Sequence, residues 1–246
     1  MHSILLLIEI YMQNFISIQH PYFFPYIGYF QLIKLSKTHV IYDIVNFKKK
    51  SWISRNRILI NSQVHNINVL IKSISQNKKI LNVEIVNDLR WRTKLVKKIE
   101  YAYKKSKYFN EIFPLLEELI LYETNFLNDY LFNSITKLCE FLEIKTKIIQ
   151  SSTLDINKKL SNKDLLIEII KNQNFKNYIN LYGGTKLYDK EFFKKKNINL
   201  QFVNYKNTNY RHLDSHEYIN NLSIIDMLFN IGKANTQLNF KNFELS

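Results

Sequence analysis

Cysteine is nearly absent from this chain, with Cys139 the only one in 246 residues. An internal disulfide is therefore excluded, as is a cysteine-based zinc site, and the composition fits a reducing cytoplasm. Long apolar runs are missing too. The opening MHSILLLIEIYM is apolar but carries Glu9 and lacks a basic leader and a small-residue cleavage site. It is too short to span a bilayer and a poor signal peptide. Met12 is an alternative start, and residues 1–14 read as an extension outside the fold. We expect a soluble cytoplasmic protein with no membrane span.

Arginine is the third scarcity. Five of the 35 basic residues are Arg (Arg55, Arg57, Arg90, Arg92, Arg211), and 21 acidic residues leave a net charge of +14. Such a charge invites phosphate-bearing partners. The excess is lysine, however, in a chain saturated with Ile, Asn and Lys, which a low-GC genome produces without selection for binding. No basic arm or aromatic ladder accompanies it. Nucleic acid is thus the less favoured partner, and a small molecule the more favoured one.

Glycine and proline number only four and three, yet two prolines and one glycine fall within QHPYFFPYIGYF, residues 19–30. FISIQ before it reads as a buried strand, and residues 26–36 repeat apolar side chains at helical spacing. A tight strand-to-helix turn exposes backbone N–H groups at a positive dipole end, a ready anion site. Pro21 and Pro25 fix φ, Gly28 permits close approach of backbone or ligand, and Gln19, His20, Tyr22 and Tyr29 would surround whatever binds. The arrangement resembles the strand–turn–helix of HIGH-type nucleotidyltransferases, which carries a His-x-Gly-His on triphosphate, but the corresponding stretch here is Tyr26-Ile27-Gly28-Tyr29. A phenol cannot carry the positive charge that steadies a leaving pyrophosphate. Nucleotide-like binding geometry without that chemistry is one reading, and an aromatic turn that only packs the core is the other.

The next segment, THVIYDIVNF, reads as a second strand, completing the opening of a βαβ unit. Strands are further expected at ILI, NINVLIKSI, KILNVEIV, TKIIQSS, NYINL and INLQFVNY. Residues 88–143 turn helical, with Pro114 opening one helix and an apolar stripe through Leu127, Leu131, Ile135 and Leu138 in the next. Ser161 with Asp164 forms a capping box for a helix over residues 163–172, and Gly232 stops the helix in LSIIDMLFNIG. The expected fold is one α/β domain over residues 15–246, with a mostly parallel sheet, a nucleotidyltransferase-like opening unit and an inserted helical block.

The loop KKKSWISRNR supplies the second candidate site. Its lysines, Lys49 among them, suit a solvated loop, but Arg55 and Arg57 in a lysine-rich chain imply planar, bidentate recognition of phosphate or carboxylate. Asn56 stands between them, and Trp52 can stack a sugar or base. Asp43, at the end of the second strand, lies where ligand crevices of parallel sheets open; it reads as a partner for a hydroxyl, an amine or a metal, or as a strand-end cap. His212 and His216, with Asp214 and Glu217, lie in a polar loop where i,i+4 spacing has little meaning, so a metal site is not favoured. Cys139 lies on the apolar stripe and reads as core, and Ser151-Ser152 has no nucleophile elbow around it.

These residues together resemble the WbqC-like family of bacterial proteins, whose pattern is roughly Q-P-x-Y-x-P-W-x-G-Y-F, a strand ending in Asp, then F-x-K-x-S-W-x-x-R-N-x-I. The match runs through Gln19, Pro21, Pro25, Gly28, Tyr29 and Phe30, then Asp43, Phe47, Lys49, Ser51, Trp52, Arg55, Asn56 and Ile58. It continues through Trp91, Tyr101, Ser152, Gly184 and Tyr188 to the segment ending at Gly232. His20, Ile44 and Asn46 depart from the usual residues. Family members are often encoded among genes for O-antigen and other surface polysaccharides and are described as transferases, including glycine transferases that would acylate an amino sugar. The resemblance implies a transferase of surface-glycan synthesis using a nucleotide or nucleotide-activated donor or acceptor, with Asp43 as base and residues 55–57 on phosphate. Two alternatives stand beside it: an ATP-dependent nucleotidyl- or adenylyl-transferring enzyme, and a non-catalytic module binding RNA or glycan machinery.

Overall fold

A computed structural model describes residues 14–73, 77–206, 210–213 and 219–246; the expected extension lies almost wholly outside them. Six strands form the main sheet: β1 (Phe15–Gln19), β2 (Thr38–Ile41), β5 (Lys147–Gln150), β6 (Asn177–Leu181), β7 (Asn199–Tyr205) and β8 (Phe243–Leu245). A separate hairpin pairs β3 (Arg55–Ile60) with β4 (Gln63–Asn68). Its two-residue loop, Asn61-Ser62, has φ of 47° and 62°, the positive values that a hairpin turn matched to strand twist requires. Among the described residues, seven helices follow in chain order: α1 (Ile27–Lys34), α2 (Leu89–Tyr103), α3 (Phe109–Leu121), α4 (Leu127–Phe141), α5 (Asn162–Asn172), α6 (Lys190–Lys194) and α7 (Ile224–Leu238).

The sheet order is β5-β2-β1-β6-β7-β8, parallel except for β8. Because strand side chains alternate between faces, adjacent apolar residues serve two cores. Phe15, Ile179 and Val203 pack with Leu32 and Leu35 around α1. Ile16, Tyr178 and Phe202 pack against Leu166, Ile170 and Phe193 of α5 and α6. The largest core joins α1, the hairpin and α2–α4 to α7. This is an α/β fold with a mostly parallel sheet and the expected helical block.

Some local expectations change. KILNVEIV forms a 3-10 turn over Ile80–Asn82 and isolated bridges instead of a strand. Pro114 lies inside α3, which begins five residues earlier at Phe109. Ser161 stands at the N-cap of α5 without the side-chain bond of a capping box. Helical turns resume after Gly232, which sits at φ 77° between two helical stretches of α7.

The Pro-rich turn between β1 and α1 is packed into the core along most of its length. Phe23, Phe24, Tyr29 and Phe30 are fully buried. Asn56 Nδ2 donates to the carbonyls of Phe23 (2.9 Å) and Phe24 (2.8 Å). Ser223 Oγ donates to Phe24 O at 2.7 Å, and Ile224 N to Pro25 O at 2.8 Å. These bonds hold Phe24 at φ 43°, a conformation that persists only where its surroundings fix it.

Candidate functional site

From β1 the chain builds outward to β2 and β5, then crosses to β6 and β7 on the other side. The order reverses between β1 and β6, and ligands of open α/β sheets bind outside the carboxyl ends of strands at such a point. Gln19 ends β1 and Asn180 lies one residue from the end of β6; Gln19 Nε2 donates to Asn180 Oδ1 across the reversal. A cleft of about 590 Å³ opens above them, within the usual range for small-molecule sites. His20, Tyr22 and Tyr42 line it beside this pair, Lys48, Lys50 and Trp52 come from the basic loop, and Gly183, Gly184 and Tyr188 come from the segment after β6. None of its described lining residues is acidic.

Local sequence explains each wall. After β6, Asn180 Oδ1 accepts from Leu181 N at 2.7 Å and its Nδ2 donates to Tyr178 Oη at 3.0 Å. A Cβ added at Gly184 would stand 3.0 Å from Asn180 Nδ2 and 3.2 Å from the Tyr188 ring, whereas one at Gly183 would meet nothing within 4 Å. The Gly184 carbonyl accepts from Leu187 N and Tyr188 N, both at 2.9 Å, which turns Tyr188 back toward the cleft. In the basic loop, Ser51 Oγ donates to Lys48 O at 2.6 Å and Phe23 N to Trp52 O at 2.9 Å. The Trp52 ring has the guanidinium carbons of Arg55 and Arg57 at 5.5 and 5.3 Å from its centroid, a cation–π arrangement.

The charge in the cleft is simple. Burial, and then the Lys48 ammonium, push the His20 imidazole below its ordinary range, so it is neutral near pH 7. Burial raises the phenols of Tyr22, Tyr42 and Tyr188, which stay protonated. Lys48 and Lys50 therefore carry the formal charge, beside a neutral imidazole and several phenol donors.

The sequence profile of the WbqC-like protein family matches residues 20–238, most of the chain. The chain belongs to the WbqC-like family. It is also 24% identical over 222 residues to an uncharacterized protein of Mycobacterium tuberculosis (strain ATCC 25618 / H37Rv), covering 88% of this chain and 94% of the other. No solved structure matches the chain significantly.

Within this WbqC-like chain the anticipated residues separate into two groups. Gln19, His20, Tyr22 and Trp52 reach the cleft. Asp43, Gly28, Tyr29, Lys49, Arg55, Asn56 and Arg57 are not among its lining residues. Asp43 is fully buried, and its Oδ1 accepts from Ser151 Oγ (2.6 Å) and Ser152 N (2.8 Å). Its Oδ2 accepts from Ser152 Oγ (2.5 Å) and Asn128 Nδ2 (2.9 Å). That carboxylate ties the ends of β2 and β5 to the start of α4. Asn56 likewise pins the Pro-rich turn. What crowds Gly28 is the chain's own Tyr26 ring, 2.4 Å from an added Cβ. Tyr29 Oη donates to His20 O at 3.0 Å from beneath. Lys49 is exposed, and Arg57 Nη2 reaches toward the carbonyls of Asn220 and Asn221 at 3.5 and 3.4 Å.

Lys48 and Lys50 of the candidate loop and Tyr188 of the family pattern also line the cleft, with Tyr42 and Asn180, which the sequence does not single out. Alternation beyond β2 was the available signal for Tyr42, which precedes Asp43 and therefore faces the other way. His212, weighed as a metal ligand, bonds instead through Nδ1 to buried Asp226 at 2.8 Å. Asp214, His216 and Glu217 lie outside the described residues.

Proposed function

We propose that this protein is a transferase that takes a phosphate-bearing, nucleotide-activated substrate in the switch-point cleft. The observation that carries this reading is the pairing, in one cleft whose described lining holds no acid, of Lys48, Lys50 and Trp52 with the neutral His20. Lysines hold phosphate as point charges, and an indole offers a stacking face for a base or sugar. A neutral imidazole accepts a proton from an attacking hydroxyl or amine, while phenol donors stabilise negative charge developing on oxygen.

For the acyl or glycyl transfer that the family resemblance implies, the amine nitrogen of an amino sugar forms a bond to the acyl carbon. The bond from that carbon to the activating carrier breaks, the carrier leaves with the electron pair, and the amine proton passes to His20. Asp43, expected as the base, is assigned a positioning role here, because its carboxylate is already saturated by four donors. Surface-glycan synthesis is the setting that the resemblance supports. Nucleotidyl transfer has less in its favour, since Tyr29, at the second imidazole position, is buried away from the cleft.

Equilibrium binding of UDP and UDP-sugars to the full chain tests the reading, followed by glycan analysis of a strain carrying Lys48→Ala/Lys50→Ala. Binding that the double substitution weakens, together with altered glycan modification, is expected. A folded double variant with unchanged binding and normal glycan removes the proposal. RNA binding with a steep salt dependence, indifferent to those lysines, would favour a non-catalytic module instead.

A further inference from the structure

Tyr42 continues the pairing of β2 with β1 by one residue, its N–H donating to Gln19 O at 2.8 Å. The side chain lines the cleft, yet only 7% of the residue is exposed. Its hydroxyl is enclosed and has no hydrogen-bond partner, an arrangement that folding ordinarily avoids. The His20 ring lies 5.8 Å away between centroids, and no described residue hydrogen-bonds its nitrogens. Asn180, by contrast, is spent on Gln19, Leu181 and Tyr178. The floor of the cleft thus leaves unfilled hydrogen-bonding capacity at two adjacent neutral groups, each able to donate and accept, with ammonium groups to one side.

Phosphate is a poor match for that floor, because a phenol and a neutral imidazole bring no charge and Lys48 and Lys50 are at hand. Neighbouring hydroxyls, or a hydroxyl and an amine, match it well, since each both donates and accepts. Trp52 adds an aromatic face, and the open side of Gly183 leaves room for a ring. We infer that the floor is a sugar subsite, in which Tyr42 Oη and the His20 imidazole hold adjacent polar groups of a pyranose whose phosphate lies toward Lys48 and Lys50. This assignment rests on the phosphate-bearing substrate proposed above. It makes Tyr42 a specificity residue and makes the sugar group facing His20 the nucleophile.

The experiment compares wild type with Tyr42→Phe and Lys48→Ala/Lys50→Ala, titrating the full chain with UDP, N-acetylglucosamine 1-phosphate, and UDP-linked glucose, galactose and N-acetylglucosamine. Wild type is expected to bind at least one sugar-bearing compound more tightly than UDP. Tyr42→Phe is expected to weaken that compound about tenfold, the loss of one buried hydrogen bond, while leaving UDP unchanged. Without ligand, Tyr42→Phe is expected to melt about 2–4 °C higher, because it removes a buried hydroxyl that has no partner. Sugar 1-phosphate binding as sensitive to Tyr42→Phe as UDP-sugar binding places recognition in the pyranose itself. If UDP and every UDP-sugar bind equally, and only the lysine variant weakens them, the sugar subsite is wrong and the phosphate site stands. A Tyr42→Phe protein that binds UDP worse, or that melts lower without ligand, also overturns the assignment. If none of the five compounds binds, both readings fall.

Discussion

Asp43 separates two accounts of this fold, and substitution there distinguishes them by stability before any activity is measured. Its carboxylate takes four hydrogen bonds from three donor residues, Asn128, Ser151 and Ser152, all within 2.9 Å, and none of the carboxyl is exposed. Asp43→Ala leaves a backbone N–H, two hydroxyls and an amide facing a small cavity. An unsatisfied buried donor costs about 1–3 kcal/mol. The hydroxyls can turn elsewhere and the costs are not additive, so about 3–5 kcal/mol is expected for the whole. Asp43→Asn should be milder. The Asn128 Oδ1 has no partner, so its amide can rotate and accept from the new side-chain NH2, while Ser152 Oγ reverses its role. What remains is the exchange of charge-assisted bonds for neutral ones, a loss of about 1–2 kcal/mol. Urea unfolding at pH 7 reads the order directly: wild type, then Asn, then Ala well below. An Asp43→Ala protein within about 1 kcal/mol of wild type would refute the clamp and return Asp43 to the role of an unencumbered base.

Three other expectations follow from single residues. Gly232→Ala sets a side chain at φ 77° with its Cβ 2.5 Å from the Tyr108 ring, so overpacking and backbone strain should remove about 1–3 kcal/mol; an unchanged melting temperature would contradict the packing described. Burial holds the His39 imidazole down to about 3, whereas the unfolded chain titrates near about 6.5. The unfolded state therefore takes up the proton first as pH falls, so the His39 contribution is whole above about pH 6.5. It is lost at up to about 1.4 kcal/mol per pH unit toward pH 3. His39→Asn should flatten urea midpoints between pH 7 and 4, and an unaltered slope would show that His39 is not the cause. Lys48→Ala should move the His20 titration upward in an NMR experiment, because the Lys48 charge is one of the two causes that depress it.

Much of the sheet is legible from residues in sequence because its signals are local. Alternating or continuous apolar runs mark β1, β2, β6 and β7, and spacings of three and four mark α1 and α4. Gln19 and Asp43 could be placed near strand ends for the same reason. Their environments could not. The donors that saturate Asp43 come from residues 85 to 109 positions away, and nothing near Asp43 announces them. Arg55 and Arg57 pack against Trp52 outside the cleft lining, while Lys48 and Lys50 of the same loop line it. Lys49 between them lies outside. Tyr42 precedes Asp43 at the strand end and lines the cleft, and alternation alone does not say which face a ligand meets.

Phosphate is proposed to meet the two lysines of the switch-point cleft. The most direct test is calorimetric titration of UDP into the full chain and into Lys48→Ala/Lys50→Ala at low salt. Losing two solvent-screened lysine–phosphate contacts, at up to about 1 kcal/mol each, should weaken binding by about 10- to 30-fold, with the unfolding transition of the variant unchanged. Equal affinity of the two proteins for UDP, or no binding by either, would contradict the account.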